Sequence, residues 1–326
     1  MKGIKKDPLV LIGVLIFILP FINNNINFHH VLIIFLMYAG LGEAWNIITG
    51  FTGQTSFGHA AFFGIGAYTS TILFYKFHLS PWIGMIVGII ISSIIAILVS
   101  YPCFKLKGHY FAIATMAIGE IIKQLFVSWD YVEGATGIMI PIVEDSFVAY
   151  QFHSSKLPYF VIVFILFVIT VLIARYIENN KMGFYLKAIR ESPEAAEAIG
   201  IDTTRYKLYA MTISAAITSA FGTFYAQYIL YIDPFMVFAL AISMKIVLLT
   251  VLGGIGNIYG PIIGAAILVP LSEYTRIQLG GTGKGIDLMI FGALIVIVAC
   301  LEPQGILGIF KRKPKKRGAQ YVQADA

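Results

Sequence analysis

The sequence predicts an all-α polytopic membrane protein with about ten transmembrane helices and with both the N- and C-termini in the cytoplasm. Of its 326 residues, 58% are hydrophobic and 12% are charged, and the mean hydropathy is +0.83. Soluble domains carry about 25% charged residues. Apolar runs of about 20 residues recur along the chain, which is the length of a membrane-spanning helix rather than of a barrel strand. Because an unpaired backbone amide is costly in hydrocarbon, these runs are expected to be helical.

Ten segments have the length and the composition of membrane spans, and together they form a single transmembrane domain, 1–326. The predicted spans are 8–22, 30–49, 56–75, 81–101, 109–128, 158–177, 206–229, 236–252, 258–279 and 286–301. With the N-terminus inside, the acidic loop 130–157 falls outside. The segment 178–205 and the tail 303–326 fall in the cytoplasm.

The basic residues predict the same orientation. Of the 23 Lys and Arg, 17 lie in four clusters: near the N-terminus, at 105–107, between 175 and 207, and at 311–317. In the ten-span arrangement all four lie on the cytoplasmic side, as the positive-inside rule requires. The net charge of +6 therefore indicates membrane topology and contact with the lipid bilayer, and no nucleic-acid partner is expected. Cys103 and Cys300 fall near cytoplasmic ends of spans, where packing cysteines are expected rather than a disulfide.

Two glycine-rich blocks break the usual pattern of a span. The block "GFTGQTSFGHAAFFGIGAYTS" (50–70) places polar residues at the mouth of a span, and "GGIGNIYGPIIGAA" (253–266) has a similar composition. The glycines have two readings, close helix packing or an interrupted helix that lines a pathway. On the second reading, the candidate pathway residues are Gly53, Gln54, Ser56, Gly58 and His59.

Ionisable residues at membrane depth are costly and need a reason. The predicted spans contain Glu43, His59, Glu120, Lys123, Lys245 and Glu273. Glu120 and Lys123 are three residues apart and so lie on one helix face. They either neutralise each other or, in the case of Glu120, face the pathway.

Enzyme chemistry has little support. The segment "GGTGKGID" (280–287) lacks the first Gly and the final Ser or Thr of a phosphate-binding Walker A loop, and it falls in a predicted outer loop. The sequence has no metal-spaced Cys/His cluster and no nucleophile elbow. We therefore expect no catalytic residue, no metal, no cofactor and no ATP hydrolysis by this chain.

A short polar segment with the pattern of a capped helix interrupts the apolar sequence at "RESPEAAEAIGID" (190–202). Ser192 suits the N-cap, Pro193 the first helical position, Glu194 the positive end of the helix dipole, and Gly200 the C′ position. The predicted helix, 193–199, is too short to be stable alone in water. It either folds back on the bundle or docks on another protein through one small face. The residues of that face are Ala195, Ala196 and Ile199.

These residues resemble a known family. "EAAEAIG" (194–200) is similar to the coupling loop of ABC importer permeases. The chain as a whole resembles the LivM-type permease of branched-chain amino-acid importers. The matching blocks are "GFTGQTSFGHAAFFGIGAY" (50–68), "FKLKGHYFAIATMAIGEII" (104–122), "MGFYLKAIRESPEAAEAIGIDTTRYKLYAMTISAAITSAFGTFYA" (182–226), "VLGGIGNIYGPIIGAA" (251–266) and "EPQGILG" (302–308).

The resemblance implies a permease of the cytoplasmic (inner) cell membrane that works with a second, LivH-like permease, two cytosolic ABC ATPase subunits and an extracytoplasmic solute-binding protein. Helix 193–199 would then pass the movement of the ATPases to the spans through Glu194, Ala195, Ala196, Ile199 and Gly200. Branched-chain amino acids are the first expected substrates, and urea or short amides are alternatives. An ion-coupled secondary transporter or a passive channel would also tolerate broken helices and buried charges, but neither explains the capped helix.

Overall fold

The computed structural model describes residues 8–22, 25–106, 108–278, 292 and 305–311. The described chain is mostly helical and has only two short strands, which confirms the all-α prediction. Its helices are α1 (Pro8–Ile22), α2 (Ile26–Trp45), α3 (His59–Phe77), α4 (Pro81–Cys103), α5 (His109–Val127), α6 (Leu157–Asn179), α7 (Lys181–Glu191), α8 (Pro193–Ala198), α9 (Thr203–Ile229), α10 (Pro234–Val237), α11 (Leu240–Gly253), α12 (Tyr259–Gln278) and a short helix at Ile306–Lys311.

The predicted span 286–301 and the terminal basic clusters lie outside the described residues, apart from the single residues 292 and 311. Each of the other nine predicted spans overlaps a helix. Within the described part of the chain, five helical segments are long and apolar enough to cross a membrane. They are Ile26–Gly50, Pro81–Cys103, His109–Val127, Leu157–Asn179 and Pro234–Gly253. The count of ten spans and the sides of the termini remain predictions.

Helix α2 forms the centre of the bundle and packs against α6 and α12, while α9 packs against α3 and α4. Glycines bring the helix backbones into contact. A Cβ atom on Gly66 of α3 would lie 2.0 Å from the carbonyl oxygen of Ser219 in α9, and one on Gly84 of α4 would lie 2.6 Å from the Cα of Ser70. The close approach of these helices therefore depends on glycine at the two positions.

The glycine-rich blocks interrupt helices. Helix α2 continues as a π-helical turn at Asn46–Gly50, and residues 53–58 are not helical. Helix α3 begins at His59, three residues after the predicted start of this span at 56. The residues between 254 and 258 separate α11 from α12. Gly53, Gly254 and Gly256 have positive φ angles, a backbone conformation that ends a helix and favours glycine.

The two ends of the bundle contain different structural elements. One end holds α7, α8 and the interruptions at 53–58 and 254–258. Helix α9 leads from there to the other end, where strand β2 (Tyr231–Ile232) pairs antiparallel with β1 (Ile138–Met139). The rest of that second end is the irregular segment between α5 and α6, which includes two 3₁₀ turns.

Candidate coupling and pathway site

Helix α8 has the caps that its sequence predicts. The Ser192 hydroxyl accepts a hydrogen bond from the N–H of Ala195 at 3.2 Å, and Pro193 occupies the first turn. Gly200 has a φ of +87°, its N–H donates to the Glu197 carbonyl at 2.9 Å, and the N–H of residue 201 donates to the Ala196 carbonyl at 3.0 Å. These two bonds form a Schellman motif, which confirms Gly200 as the C′ residue. The helix ends at Ala198 rather than at 199.

The face of α8 differs in part from the prediction. Ala196 is buried against Ile189 of α7 and Ile201, so the expectation that it shares an exposed face with Ala195 and Ile199 is wrong. Ala195 is exposed, and the Ile199 side chain is 75% exposed. Glu194 is exposed as well. The helix therefore folds back on the bundle through Ala196 and presents other residues outward.

Helix α7, which the sequence analysis did not predict, ties α8 to the interrupted helices. Nη1 of Arg190, its penultimate residue, donates a hydrogen bond to the carbonyl oxygen of Gly50 at 2.7 Å. The acceptor is the last residue of the π-helical turn. The contact thus joins the helical segment before α8 to the end of the central helix.

The non-helical segment 53–58 is held against the end of α2 by hydrogen bonds. The Thr49 hydroxyl donates to the carbonyl of Gln54 at 2.9 Å, and the indole N–H of Trp45 donates to the carbonyl of Ser56 at 2.7 Å. Ser56 is buried, Gln54 is half-buried and Gly53 is exposed. A Cβ atom on Gly58 would lie 2.9 Å from the carbonyl oxygen of Thr115, so this glycine allows α5 to approach.

His59 lies in the bundle interior. Its side chain is completely buried, and its Nε2 is 2.8 Å from the hydroxyl oxygen of Ser214 on α9. That hydroxyl also donates to the carbonyl oxygen of Ala44 at 2.6 Å. His59 therefore links three helices through one serine in the interior of the bundle.

Helix α5 carries polar residues on an outward face. The Glu120 and Lys123 side chains form an ion pair at 2.5 Å, as the three-residue spacing predicts, and the Glu120 side chain is 57% exposed. Gln124 is exposed one turn further along the same face. We call Glu120, Lys123 and Gln124 the α5 polar stripe. A single charge near the middle of a membrane helix costs about 3 kcal/mol, and the Glu120–Lys123 pair lowers this cost because the two charges neutralise each other.

The segment between α5 and α6 contains a hydrogen-bonded acidic turn. The Ser154 hydroxyl donates to Asp145 at 2.5 Å, and the backbone N–H of His153 donates to the same carboxylate at 2.7 Å. These bonds, the Ser154 hydroxyl first, lower the pKa of the Asp145 carboxyl. The same segment carries exposed apolar side chains, among them Met139, Ile142 and Phe147.

Arg190 and Asn46 are two further residues of the site, and neither was predicted from the sequence. The buried Asn46 side chain accepts from the N–H of Gly256 at 2.8 Å and donates to the carbonyl oxygen of Asn257 at 3.2 Å. It therefore joins the end of α2 to the interruption at 254–258. The signal was present, because Asn46 is an amide within an apolar run and Arg190 directly precedes the capped helix.

Apolar helices long enough to span a membrane, with glycine-rich interruptions between and within them, define a multi-pass membrane protein. A family model described as the permease component of branched-chain amino acid transport systems matches residues 27–299. The chain belongs to this family, which is a family of transport permeases rather than of enzymes.

The most informative similar proteins are also named as permeases of branched-chain amino acid transport systems. The chain is 25% identical to the high-affinity branched-chain amino acid transport system permease protein LivM of Salmonella typhimurium, over 87% of this chain and 71% of that protein. It is 26% identical to LivM of Escherichia coli K12 over the same shares. LivH of Salmonella typhimurium is 27% identical over 83% of this chain and 91% of its own length. No solved structure gives a significant match.

Proposed function

We propose that this chain is the permease subunit through which an ABC importer of the cytoplasmic (inner) membrane moves branched-chain amino acids, namely leucine, isoleucine and valine. Two cytosolic ATPase subunits drive the transport, a LivH-like permease completes the pathway, and an extracytoplasmic solute-binding protein delivers the substrate. The proposal places both termini in the cytoplasm and includes all ten spans.

The observation that carries the proposal is the geometry of α8 in a chain of this family. A six-residue helix has too few internal hydrogen bonds to persist alone. Here both of its ends are capped, and Ala196 fixes it to α7. Ala195 and the exposed Ile199 side chain are then free to enter a groove on an ATPase subunit, with Glu194 beside them. The buried Ala196 and the left-handed Gly200 position this face.

For the pathway we propose the surface that joins the segment 53–58 to the α5 polar stripe. The N–H of Phe57 donates to the Thr115 hydroxyl of α5 at 3.1 Å, so the segment and the stripe-bearing helix move together. Gly53, Gln54 and Glu120 lie at exposed or half-exposed positions of this surface. Ser56, Gly58 and His59 support it from inside. The second permease covers the stripe from the other side.

The decisive experiment is purification of the intact complex from native membranes, followed by reconstitution in liposomes. We expect an ATPase and a second permease to co-purify, and we expect uptake of radiolabelled leucine to require ATP and the binding protein. Uptake of urea or acetamide in place of leucine would correct the proposed substrate but leave the chain an ABC importer permease. Leucine uptake that follows an ion gradient without ATP would refute the importer and support a secondary transporter.

The pathway is tested by Glu120→Ala, with Lys187→Ala as the matched control. Lys187 forms an exposed ion pair with Glu178 at 2.9 Å, away from the α5 polar stripe. We expect Glu120→Ala to reduce uptake while the complex still assembles, and we expect the control to transport normally. Equal assembly and equal uptake in both variants would show that Glu120 does not line the pathway.

The topology is tested with reporter fusions. We expect reporters before residue 1 and after residue 326 to read cytoplasmic, and a reporter in the range 145–155 to read external. Opposite sides for the two termini would mean an odd number of spans.

A further inference from the structure

Four chain segments meet at one point on the α8 end of the bundle. They are the π-helical turn that ends at Gly50, the non-helical segment after it, the turn between α11 and α12, and the end of α7. We call this meeting point the Arg190 junction, since the Arg190 side chain contacts the other three segments. Arg190 lies two residues before the N-cap of α8.

The first contact is electrostatic as well as geometric. The Gly50 carbonyl belongs to the C-terminal turn of the central helix, where carbonyl groups lack partners within the helix and the dipole is negative. The Arg190 guanidinium donates to that oxygen at 2.7 Å. A cation at this place stabilises the end of the helix, and the charged donor strengthens the bond.

The second contact is steric. A Cβ atom on Gly256 would lie 2.1 Å from Nη1 of Arg190 and 2.9 Å from the Gly50 oxygen. A Cβ atom on Gly53 would lie 3.4 Å from Cγ of Arg190. Both interruptions therefore lie close against the arginine, and at 256 a side chain would displace it.

Further hydrogen bonds and packing contacts fix the segments on both sides of the Arg190 junction. Asn46 joins the Gly256 turn to the end of α2 through two hydrogen bonds, and Trp45 and Thr49 hold the segment 53–58 to the same helix end. On the other side, the N–H of Ser192 donates to the carbonyl oxygen of Ala188 at 3.1 Å, and Ile189 packs on Ala196. A displacement of α8 thus carries Arg190 with it.

We propose that Arg190 is the positioning residue that transmits movement of α8 to the interrupted membrane helices, by holding the Gly50 carbonyl and the Gly256 turn together. This inference rests on the proposed function, because it assigns the route between the ATPase contact and the pathway. A shift of α8 by about 1 Å breaks a bond of this length or pulls the end of the central helix along. The charged donor strengthens the bond and so favours the second outcome.

The test compares Arg190→Gln with Arg190→Lys and with the control Arg205→Gln in the intact reconstituted complex. Gln is too short to reach the Gly50 oxygen, whereas Lys keeps one long charged donor. Arg205 lies in the first turn of α9, the helix that follows α8, and its Nε donates to the Tyr209 hydroxyl at 2.8 Å on the same helix. The measured quantity is leucine transported per ATP hydrolysed, together with membrane abundance and ATPase retention.

We expect Arg190→Gln to keep its abundance and its ATPase and to lose about tenfold in leucine per ATP, within the usual range of coupling between two sites. Arg190→Lys should recover part of that loss, and Arg205→Gln should match the unmodified complex. Normal coupling in Arg190→Gln would overturn the inference, and so would loss of abundance or ATPase without any recovery in Arg190→Lys. If the unmodified complex shows no ATP-driven uptake, it is the proposed function that fails.

A cross-link tests the junction without transport. The Cβ atom of Arg190 would lie 3.9 Å from a Cβ atom on Gly53, which is within disulfide range. In a chain whose two native cysteines are replaced by alanine, Gly53→Cys with Arg190→Cys should form a disulfide under mild oxidation. Because this variant lacks the Arg190 side chain, it tests whether positions 53 and 190 lie side by side, and absence of the disulfide would overturn the geometry of the junction.

Discussion

Replacement of Gly200 by valine isolates the role of one backbone angle in α8. Gly200 has a φ of +87°, and a Cβ atom built on it would meet no atom within 4 Å. Valine therefore causes no clash, and its cost comes from the backbone alone. An L-residue in the left-handed region costs about 1–2 kcal/mol. If the helix end unwinds instead, the two hydrogen bonds of the Schellman motif are lost, at about 1 kcal/mol each.

Both routes predict a loss of about 1–2 kcal/mol, or a factor of about 5–30 in the population of the capped helix. We expect amide hydrogen exchange at residues 200 and 201 to accelerate by that factor and ATPase retention to fall with it. Gly200→Asn is the control, because asparagine tolerates the left-handed region. Equal exchange and equal ATPase retention in the two variants would refute the argument.

Three further predictions concern packing and pH. Ala195→Glu should leave the exchange of α7 and α8 unchanged and release the ATPase, whereas Ala196→Glu should accelerate exchange in both helices because it buries a charge. Gly66→Ala should lower the detergent-solubilised melting temperature by about 3–8 °C, since its Cβ would overlap a backbone oxygen, while Gly13→Ala, with open space around it, should not. The lowered pKa of Asp145, caused first by the Ser154 hydroxyl, stabilises its turn above the ordinary carboxyl pKa of about 3.9, and this contribution is lost as the pH falls through the lowered value. Protease cleavage within 142–154 should rise below about pH 4, and Asp145→Asn should remove that pH step.

The features that were predictable from the sequence are those set by neighbouring residues. Ser192, Pro193 and Gly200 cap a helix within nine positions, so their roles follow from local geometry. The Glu120–Lys123 pair follows from helical periodicity in the same way. Membrane helices follow from the length of their apolar runs.

The features that were not predictable depend on residues far away in the chain. Asn46 binds residues 256 and 257, and Arg190 binds Gly50, across separations of 210 and 140 residues. The inward position of Ala196 depends on Ile189 and Ile201, which approach only when α7 turns back. The interruption at 53–58 is longer than composition indicated, because Trp45 and Thr49 bind its carbonyl groups and so replace the helical partners.

The Gly50 acceptor is a main-chain oxygen, which every amino acid supplies. A substitution at position 50 therefore cannot delete the acceptor group, and paired changes at 50 and 190 are not required to keep the bond. Methods that infer residue contacts from correlated substitutions will therefore not detect this bond. Spectroscopy on an isotope-labelled carbonyl can detect it directly, as a shift in the Gly50 amide I frequency when Arg190 is replaced.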